Sequence, residues 1–327
     1  MPERIIFLTT LVVLLTGLAV FLIWDDNSQL ETGLKASIAE EIDTTADTNK
    51  TSIAPNTPSE TSTYLTSSSE PNYYPIRDFN IPLPEINAKA AALYDINTGK
   101  FLFQKNIGQH LPIASITKIM TAIIVLEHLN LDETTTIKAE DTNVDGNGAD
   151  LYKGEEISAE NLFKMLLIKS SNDSALALAD MLNKKSIDFV LEMNKKALDL
   201  GMIDTRFLDP AGLNDEGFST VSDLIKLVKY SERYDTIWKT TLTESAEVKS
   251  TDGLIIHPLT NTNKLLAKIE NIIGGKTGFT DGAGESMLLL VRHSGNTLLS
   301  IVLGSNDRFG ETEKLIEWGK AAHKWDN

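Results

Sequence analysis

An uncharged apolar run of 20 residues, Ile5 to Trp24, lies near the start of the chain and restricts where a water-soluble core can form. At about 1.5 Å of rise per residue, a helix of this length reaches about 30 Å, the thickness of the hydrocarbon layer of a bilayer. The alternative is a cleaved signal peptide, which normally has a shorter apolar run and a small-x-small cleavage site. Gly17 to Ala19 is the nearest such site, but five further apolar residues follow it. We therefore expect residues 1–24 to form a short cytoplasmic tip and an uncleaved single-pass membrane anchor.

Charged residues flank the apolar run asymmetrically. Arg4 and the amino terminus precede the run, whereas Asp25 and Asp26 follow it. Because positive charge tends to remain on the cytoplasmic side of a membrane, this asymmetry predicts that the remainder of the chain lies outside the cytoplasm.

Residues 25–80 have the composition of a disordered linker. Between Thr44 and Glu70, 14 of 27 residues are Ser or Thr. Such a segment cannot bury enough apolar surface to offset the conformational entropy that ordering would cost. Ten acidic and three basic residues in 25–80 supply −7 of the formal net charge of −16. A globular domain is therefore expected at residues 81–327.

The composition excludes several kinds of functional site. The absence of cysteine rules out disulfides, a cysteine nucleophile and thiolate metal sites. The five histidines are scattered and form no His-Glu-x-x-His pair for catalytic zinc. With 46 acidic against 30 basic residues, the chain lacks the excess of positive charge that nucleic-acid binding requires. We therefore expect no metal, no cofactor and no nucleic-acid partner.

Short apolar runs at both ends of the globular part predict strands, and the segment between them predicts helices. One β-hairpin is expected within 88–104 and another within 286–304, each around an Asn/Gly-containing turn. Apolar residues at helical spacing predict one helix from Ser115 onward and others at 159–169, 172–183, 187–200, 223–234 and 311–324, with Ser158, Ser186 and Ser222 as candidate N-caps. Strands at both ends with helices between them indicate an α+β fold.

The first chemical motif is Ser115 with Lys118. Three residues apart on a helix, the two side chains share one face. A serine hydroxyl needs an adjacent base to act as a nucleophile, and a lysine whose pKa is lowered can be that base. A helix N-terminus also presents free N–H groups that stabilise an oxyanion. A capping serine beside a solvated lysine is the alternative for this motif alone.

Two further motifs carry polar groups that suit a cleft. Ser170 and Asn172 lie at a junction between predicted helices, although both residue types are also common helix caps. Lys276 and Thr277 are followed by Gly278, and a lysine and a hydroxyl on a glycine-flanked edge strand suit a carboxylate. Taken alone, that last motif also fits an ordinary glycine turn.

Together and in this order, the three motifs are the signature of class A β-lactamases and penicillin-binding proteins. The stretches Pro112–Thr121, Ser170–Asp173, Asp209–Leu213 and Gly275–Asp281 resemble those of the serine-type D-Ala-D-Ala carboxypeptidases, the low-molecular-mass penicillin-binding proteins. The resemblance covers about residues 82–318 and implies a β-lactamase/transpeptidase-like fold. Such a fold has a mostly antiparallel sheet with flanking helices, a helical subdomain, and the active site in the cleft between them.

The resemblance also implies a reaction. Ser115 would attack the D-Ala-D-Ala bond of a peptidoglycan stem pentapeptide and form an acyl-enzyme. Lys118 would accept the Ser115 proton, and Ser170 would relay a proton to the departing D-alanine. β-Lactam antibiotics would acylate Ser115 by the same attack. The implied location is the outer side of a bacterial cell membrane, with attachment through residues 5–24.

The remaining matched residues would bind the substrate. Asn172 would hold the substrate amide, while Lys276 and Thr277 would bind the terminal carboxylate. Gly278 belongs to the same motif, and the N–H groups of Ser115 and Phe279 would form the oxyanion hole. The charge of Lys276 would also lower the pKa of the catalytic lysine.

Several departures from the family pattern bear on specificity. Ser171 stands where many members have glycine, which predicts crowding near Ser170. Asn261–Asn263 stands where some members place a carboxylate-binding arginine, so Lys264 is the candidate for that charge. No second, β-rich domain is expected, and the N-terminal span would replace the C-terminal membrane helix of many members.

Three alternative functions stay open. An endopeptidase or transpeptidase would act on cross-linked peptidoglycan with the same residues. A β-lactamase is disfavoured because Pro210 occupies the position of the glutamate that drives deacylation in class A enzymes. A wall-binding protein without turnover is disfavoured by the intact Ser115, Lys118 and Lys276.

Overall fold

The computed structural model describes residues 74–142 and 151–325. The predicted anchor, residues 1–24, and the linker up to residue 73 lie outside the described residues. The predicted end of the linker, residues 74–80, is instead part of the fold, because Ile76 and Arg77 pair with Lys324 and His323 in a short two-stranded sheet. Within the described ranges, no helix is long and apolar enough to cross a membrane.

The described residues form short strands and helices, with the longest strands near the carboxyl end. The strands are β1 (Ile76–Arg77), β2 (Ala90–Asp95), β3 (Lys100–Lys105), β4 (Thr134–Thr136), β5 (Glu156–Ser158), β6 (Ser245–Lys249), β7 (Ile256–Thr260), β8 (Ile272–Thr280), β9 (Gly284–His293), β10 (Asn296–Ser305) and β11 (His323–Lys324). The α-helices are α1 (Lys118–His128), α2 (Ala159–Lys164), α3 (Asn172–Asn183), α4 (Phe189–Asp199), α5 (Val221–Ser231), α6 (Asp235–Thr241) and α7 (Arg308–Ala322). Two 3-10 turns and one π-helical turn occur at Ala114–Thr117, Ala139–Asp141 and Met165–Lys169.

The central sheet combines strands from both ends of the globular part. Its order is β3-β2-β10-β9-β8, and every neighbouring pair is antiparallel. Both predicted hairpins are confirmed, as β2–β3 and β9–β10. Strand β8 forms an edge of this sheet, so one side of its backbone faces away from the other strands.

Alternate side chains of β9 pack on opposite faces of the sheet. Met287, Leu289 and Val291 pack in one apolar cluster with residues of α7. Leu288 and Leu290 belong to the other cluster, which contains the apolar residues of α1. Because successive side chains of a strand point to opposite faces, a nearly continuous apolar strand is buried on both sides. The predicted α+β fold with flanking helices is confirmed.

Helix α1 lies at the centre of the helical part of the molecule. All residues from Lys118 to Val125 are buried, and the helix contacts α3, α4, α5 and α6. A helix that is apolar around most of its circumference is stable only when other elements surround it. The lysine at its first position is therefore held in the interior.

Several predicted helix ends are wrong because tertiary contacts decide them. Ser158 does cap α2, but Asp188 caps α4 in place of Ser186, and Thr220 caps α5 in place of Ser222. The predicted helix 159–169 changes at Met165 into a π-helical turn. The last helix begins at Arg308 and ends at Ala322, three residues before the predicted start and two before the predicted end.

Candidate active site

Ser115 lies in the 3-10 turn Ala114–Thr117, directly before α1. The preceding Ala114 has a positive φ of 46°, an unusual conformation for a residue with a side chain. Such a backbone persists only where the surroundings enforce it, and Ile113 and Ile116 on either side are buried in the core. The expected helical first turn is thus a tighter turn that presents Ser115 to the cleft.

Lys118 is fully buried, and three acceptors surround its amine. Its Nζ lies 2.8 Å from Ser115 Oγ, 2.7 Å from Asn172 Oδ1 and 2.9 Å from the carbonyl oxygen of Ala211. The amide oxygen and the carbonyl oxygen only accept hydrogen bonds. A neutral amine has two N–H donors for these two oxygens, which leaves its lone pair for the Ser115 hydroxyl proton.

Burial favours the neutral form of this amine. Desolvation lowers the pKa of Lys118 to about 7, although the negative charge of Asp209 acts in the opposite direction. Burial is therefore the leading cause of the lowered pKa of Lys118. The family resemblance had implied the positive charge of Lys276 as a cause. The pKa of Lys276 is itself lowered, by burial first and then by the positive charges of Lys118 and Arg308.

Ser170 ends the π-helical turn in a left-handed conformation, with φ of 64°. The extra residue of a π turn and the left-handed residue after it reorient the chain between two helices, a feature common at functional sites. Ser170 Oγ accepts a hydrogen bond of 2.6 Å from Lys276 Nζ and lines the same cleft as Ser115. The structure thus brings the second motif to the first and third.

Ser171 does not crowd the site as the sequence predicts. Its backbone and side chain are buried, and its hydroxyl accepts a hydrogen bond of 3.2 Å from Ser174 N as the N-cap of α3. A serine at this position therefore stabilises the start of the helix that carries Asn172.

Strand β8 brings the third motif, Lys276–Gly278, into contact with the turn Ala114–Thr117 that carries Ser115, called the nucleophile turn below. A Cβ at Gly278 would lie 2.9 Å from the Ile113 carbonyl oxygen and 3.2 Å from Ser115 N, so a glycine is required for this approach. Phe279 follows at the mouth of the cleft and is 58% exposed. Thr277 Oγ1 lies 2.6 Å from Thr262 Oγ1, which places two hydroxyls side by side.

A loop after Asp209 supports Lys118 from the other side. The Asp209 carboxylate accepts hydrogen bonds from the backbone N–H groups of residues 211–214. Gly212 has φ of 76°, and a Cβ there would overlap the Ala114 carbonyl oxygen. The Asp209–Leu213 motif therefore holds this loop against the turn Ala114–Thr117, which carries Ser115. The Ala211 carbonyl oxygen then accepts a hydrogen bond from Lys118.

Arg308 lies in the cleft and was missed by the sequence interpretation. Its Nη1 donates a hydrogen bond of 2.8 Å to the carbonyl oxygen of Gly278. Lys264, the candidate cation, instead lies over the Phe309 ring with its Nζ 5.9 Å from the centroid. No motif marks Arg308 in the sequence, since it lies 30 residues after Gly278 and before the predicted start of the last helix.

The cleft has a volume of about 450 Å³. Six of the predicted site residues line it, while the two lysines lie buried behind the wall. The lining residues are Ser115, Ser170, Asn172, Leu213, Asp215, Thr262, Thr277, Gly278, Phe279, Thr280, Asp281 and Arg308. A serine paired with a buried amine of lowered pKa, at an edge strand, defines a serine acyl-transfer site.

Comparison with known proteins identifies the family. The profile of the D-alanyl-D-alanine carboxypeptidase family matches residues 78–307. D-alanyl-D-alanine carboxypeptidase DacF of Bacillus subtilis is 31% identical over 241 residues, which cover 71% of this chain and 61% of that protein. A D-alanyl-D-alanine endopeptidase of Escherichia coli is 32% identical over 241 residues, which cover 72% of this chain and 78% of that protein.

Solved structures agree with this assignment. A penicillin-binding protein of Listeria monocytogenes with ampicillin bound has a TM-score of 0.65 and 34% identity, over 73% of this chain and 99% of that chain. A D-alanyl-D-alanine carboxypeptidase of Mycobacterium tuberculosis has a TM-score of 0.68 and 26% identity, over 77% of this chain and 99% of that chain. The chain belongs to the D-alanyl-D-alanine carboxypeptidase family of serine peptidases.

Proposed function

We propose that the protein is a serine D,D-carboxypeptidase that removes the terminal D-alanine from peptidoglycan stem pentapeptides. The observation that carries this proposal is the 2.8 Å contact between Ser115 Oγ and the Lys118 amine, whose pKa is lowered to about 7. Near neutral pH a substantial fraction of this amine is unprotonated and ready to accept the hydroxyl proton.

Acylation begins with attack of Ser115 Oγ on the carbonyl carbon between the two D-alanines. The hydroxyl proton moves to Lys118 Nζ as the O–C bond forms. The N–H groups of Ser115 and Phe279 donate to the developing oxyanion, an arrangement supported by the close approach of Gly278 to the nucleophile turn. The C–N bond then breaks, and the departing amine receives through the Ser170 hydroxyl the proton that Lys118 took from Ser115.

The terminal carboxylate is bound at the end of the cleft that carries hydroxyls and positive charge. Thr277 and Thr262 offer hydroxyl donors, and the guanidinium of Arg308 supplies a fixed charge. Lys276 lies behind them and contacts Ser170, which links carboxylate binding to the proton relay. Asn172, which contacts Lys118, is proposed to hold the substrate amide.

Water then hydrolyses the acyl-enzyme and releases the shortened stem peptide, which returns the hydroxyl to Ser115. A penicillin should acylate Ser115 by the same attack, with opening of its β-lactam ring. Pro210, at the position of the deacylating glutamate of β-lactamases, has no acid–base group, and its carbonyl oxygen accepts a hydrogen bond from Thr121. We therefore expect slow hydrolysis of penicillin.

Endopeptidase activity is the second candidate. Relatives from Escherichia coli and Pseudomonas aeruginosa named as D-alanyl-D-alanine endopeptidases are 32% and 34% identical to this chain, as similar as the named carboxypeptidases. A stem pentapeptide and a cross-linked muropeptide dimer, each incubated with the full chain, separate the two activities. Release of D-alanine at the higher kcat/KM supports the carboxypeptidase, whereas faster cleavage of the dimer overturns it in favour of the endopeptidase.

Residues 5–24 are proposed to anchor the protein in a bacterial cell membrane, with residues 25–73 as a spacer and the catalytic domain on the outer side. The support is the length of the apolar run and the charges that flank it. Such a tether would keep the enzyme near the cell wall that it edits. Protease added to intact spheroplasts should digest the catalytic domain; full protection of that domain contradicts this orientation.

A further inference from the structure

Asp215 lines the cleft and joins two of its walls. Thr280 Oγ1 donates a hydrogen bond to Asp215 Oδ1, and Gly282 N donates one of 3.1 Å to Asp215 Oδ2. Thr280 is the last residue of β8 and Gly282 lies in the turn to β9, whereas Asp215 belongs to the loop that follows Asp209. One carboxylate therefore bridges the strand wall and the loop wall.

Further hydrogen bonds hold both ends of this bridge in place. On the loop side, the carbonyl oxygens of Pro210 and Ala211 accept hydrogen bonds from Thr121 and Lys118 of the buried helix α1. On the strand side, Ala283 N donates a hydrogen bond of 3.1 Å to Thr280 Oγ1. The bridge therefore holds two positioned walls together, rather than two free loops.

The charges along the cleft give the direction in which a substrate lies, if the proposed function holds. Along β8, the Thr262–Thr277 hydroxyl pair and the contact of Arg308 with the Gly278 carbonyl oxygen come first, and the contact of Asp215 with Thr280 follows. A peptide carboxylate is repelled by Asp215 and attracted by Arg308. The residues that precede the scissile bond must therefore extend along β8 towards the bridge.

An acyl-side group on that path passes between the two bridged walls. Phe279 precedes Thr280 on the strand wall, and Leu213 precedes Asp215 on the loop wall; both line the cleft. The bridge therefore restrains the distance between the strand and the loop that carry these two side chains. A group beside the scissile carbonyl that is wider than the gap can enter only if the walls move apart, which breaks the Asp215 contacts.

We propose that Asp215 is a specificity-determining residue whose bridge to Thr280 and Gly282 limits the bulk on the acyl side of substrates and β-lactams. The acyl-side group that it favours is narrow next to the reacting carbonyl, as in an unbranched peptide segment. This inference rests on the proposed acyl-enzyme function of the same cleft.

The test compares two penicillins that share one nucleus and differ in the acyl side chain, one phenylacetyl and one dimethoxybenzoyl. The dimethoxybenzoyl penicillin is the bulkier probe, because its substituted ring is bonded directly to the carbonyl of the side-chain amide. Second-order rate constants for acylation are measured with the full chain and with the variants Asp215→Ala and Thr280→Val. Val matches Thr in shape and also favours strands, so Thr280→Val keeps the side-chain volume while it removes the hydrogen bonds of the hydroxyl with Asp215 and Ala283 N.

The measured ratio is the acylation rate constant of the dimethoxybenzoyl penicillin divided by that of the phenylacetyl penicillin. In both variants this ratio should rise about tenfold. In the double variant it should rise no further than in the more affected single variant, because both changes break the same bridge. General destabilisation would lower both rate constants and leave their ratio unchanged. Asp252→Ala is the matched control, because Asp252 accepts hydrogen bonds from Ser250 Oγ and Leu254 N in an exposed turn outside the cleft lining. Its ratio should equal that of the unmodified protein.

A ratio that stays within about twofold of the unmodified value in Thr280→Val overturns the bridge proposal, whatever happens to Asp215→Ala. Thr280→Val decides alone if the alanine variant does not fold. Absence of acylation of the unmodified protein by both penicillins contradicts the proposed function itself. The two failures are thus distinguishable.

Discussion

The Lys118 amine and the Ser115 hydroxyl lie 2.8 Å apart, and the amine belongs to a fully buried side chain. The contact joins a 3-10 turn to the first residue of a buried helix, so neither partner can move far. Burial lowers the pKa of the amine, and its other two partners are pure hydrogen-bond acceptors. The geometry therefore leaves the lone pair of the neutral amine available for the serine proton.

Replacement of Lys118 should slow acylation strongly without loss of the fold. Lys118→Met keeps most of the side-chain volume in the core, and acylation by penicillin should fall about 1,000-fold because general-base catalysis is lost. Stopped-flow or gel-based measurement of the acylation rate checks this. Lys239→Met is the control, since Lys239 is exposed and paired with Asp235. Undiminished acylation in Lys118→Met excludes the lysine as base.

The pH dependence of acylation should report the lowered pKa of Lys118. The reactive form is the neutral amine, so the rate should be low in acid and rise with pH through a midpoint of about 7. An exposed lysine would place this midpoint near pH 10.4, about its ordinary pKa. Acylation rates from pH 5 to pH 10, measured with a neutral β-lactam ester or at saturating penicillin, provide the profile. A midpoint above pH 9 would show that burial does not tune this base.

Gly278→Ala should separate the strand from the nucleophile turn. Its Cβ would lie 2.9 Å from the Ile113 carbonyl oxygen, so β8 or the turn must shift. Misplacement of the Phe279 N–H should slow acylation by roughly 100-fold, the effect of loss of an oxyanion-hole donor. The matched control is Gly108→Ala, because a Cβ at Gly108 meets no atom within 4 Å. Equal rates for the two alanine variants would contradict the close approach.

Arg308 and Lys264 can be separated as carboxylate-binding residues. Arg308→Gln should raise KM for a peptide that ends in D-Ala-D-Ala about tenfold, because the cation at the carboxylate end is lost. The same variant should have little effect on a peptide whose terminal carboxylate is amidated. Lys264→Gln should leave both KM values unchanged. The reverse pattern, with the larger effect in Lys264→Gln, would show that Lys264 binds the carboxylate, as the sequence analysis expects.

Much of the fold follows from local sequence patterns. The two hairpins are separated from the rest by turn residues, and the apolar run of α1 is long enough to predict a buried helix. Helix caps were less predictable, because Ser186, Ser222, Asp188 and Thr220 all have cap chemistry and tertiary packing selects among them. The π-helical turn at Met165–Lys169 leaves no signal in the spacing of apolar residues.

The site residues within motifs were predictable, and those outside were not. Ser115, Ser170 and Thr277 lie in short motifs with known chemistry, and they meet in one cleft. Arg308 and Asp215 reach that cleft from elements whose local sequences carry no such signal. Their roles depend on the distance between elements that only the folded chain brings together.

The most direct measurement is identification of the residue that a penicillin acylates. The full chain is incubated with penicillin at pH 7.5, quenched in acid, digested and analysed by mass spectrometry. The proposed mechanism predicts one stable penicilloyl adduct on Ser115, absent from Ser115→Ala and strongly reduced in Lys118→Met. An adduct on another residue, or an equal yield of adduct in Ser115→Ala, would contradict it.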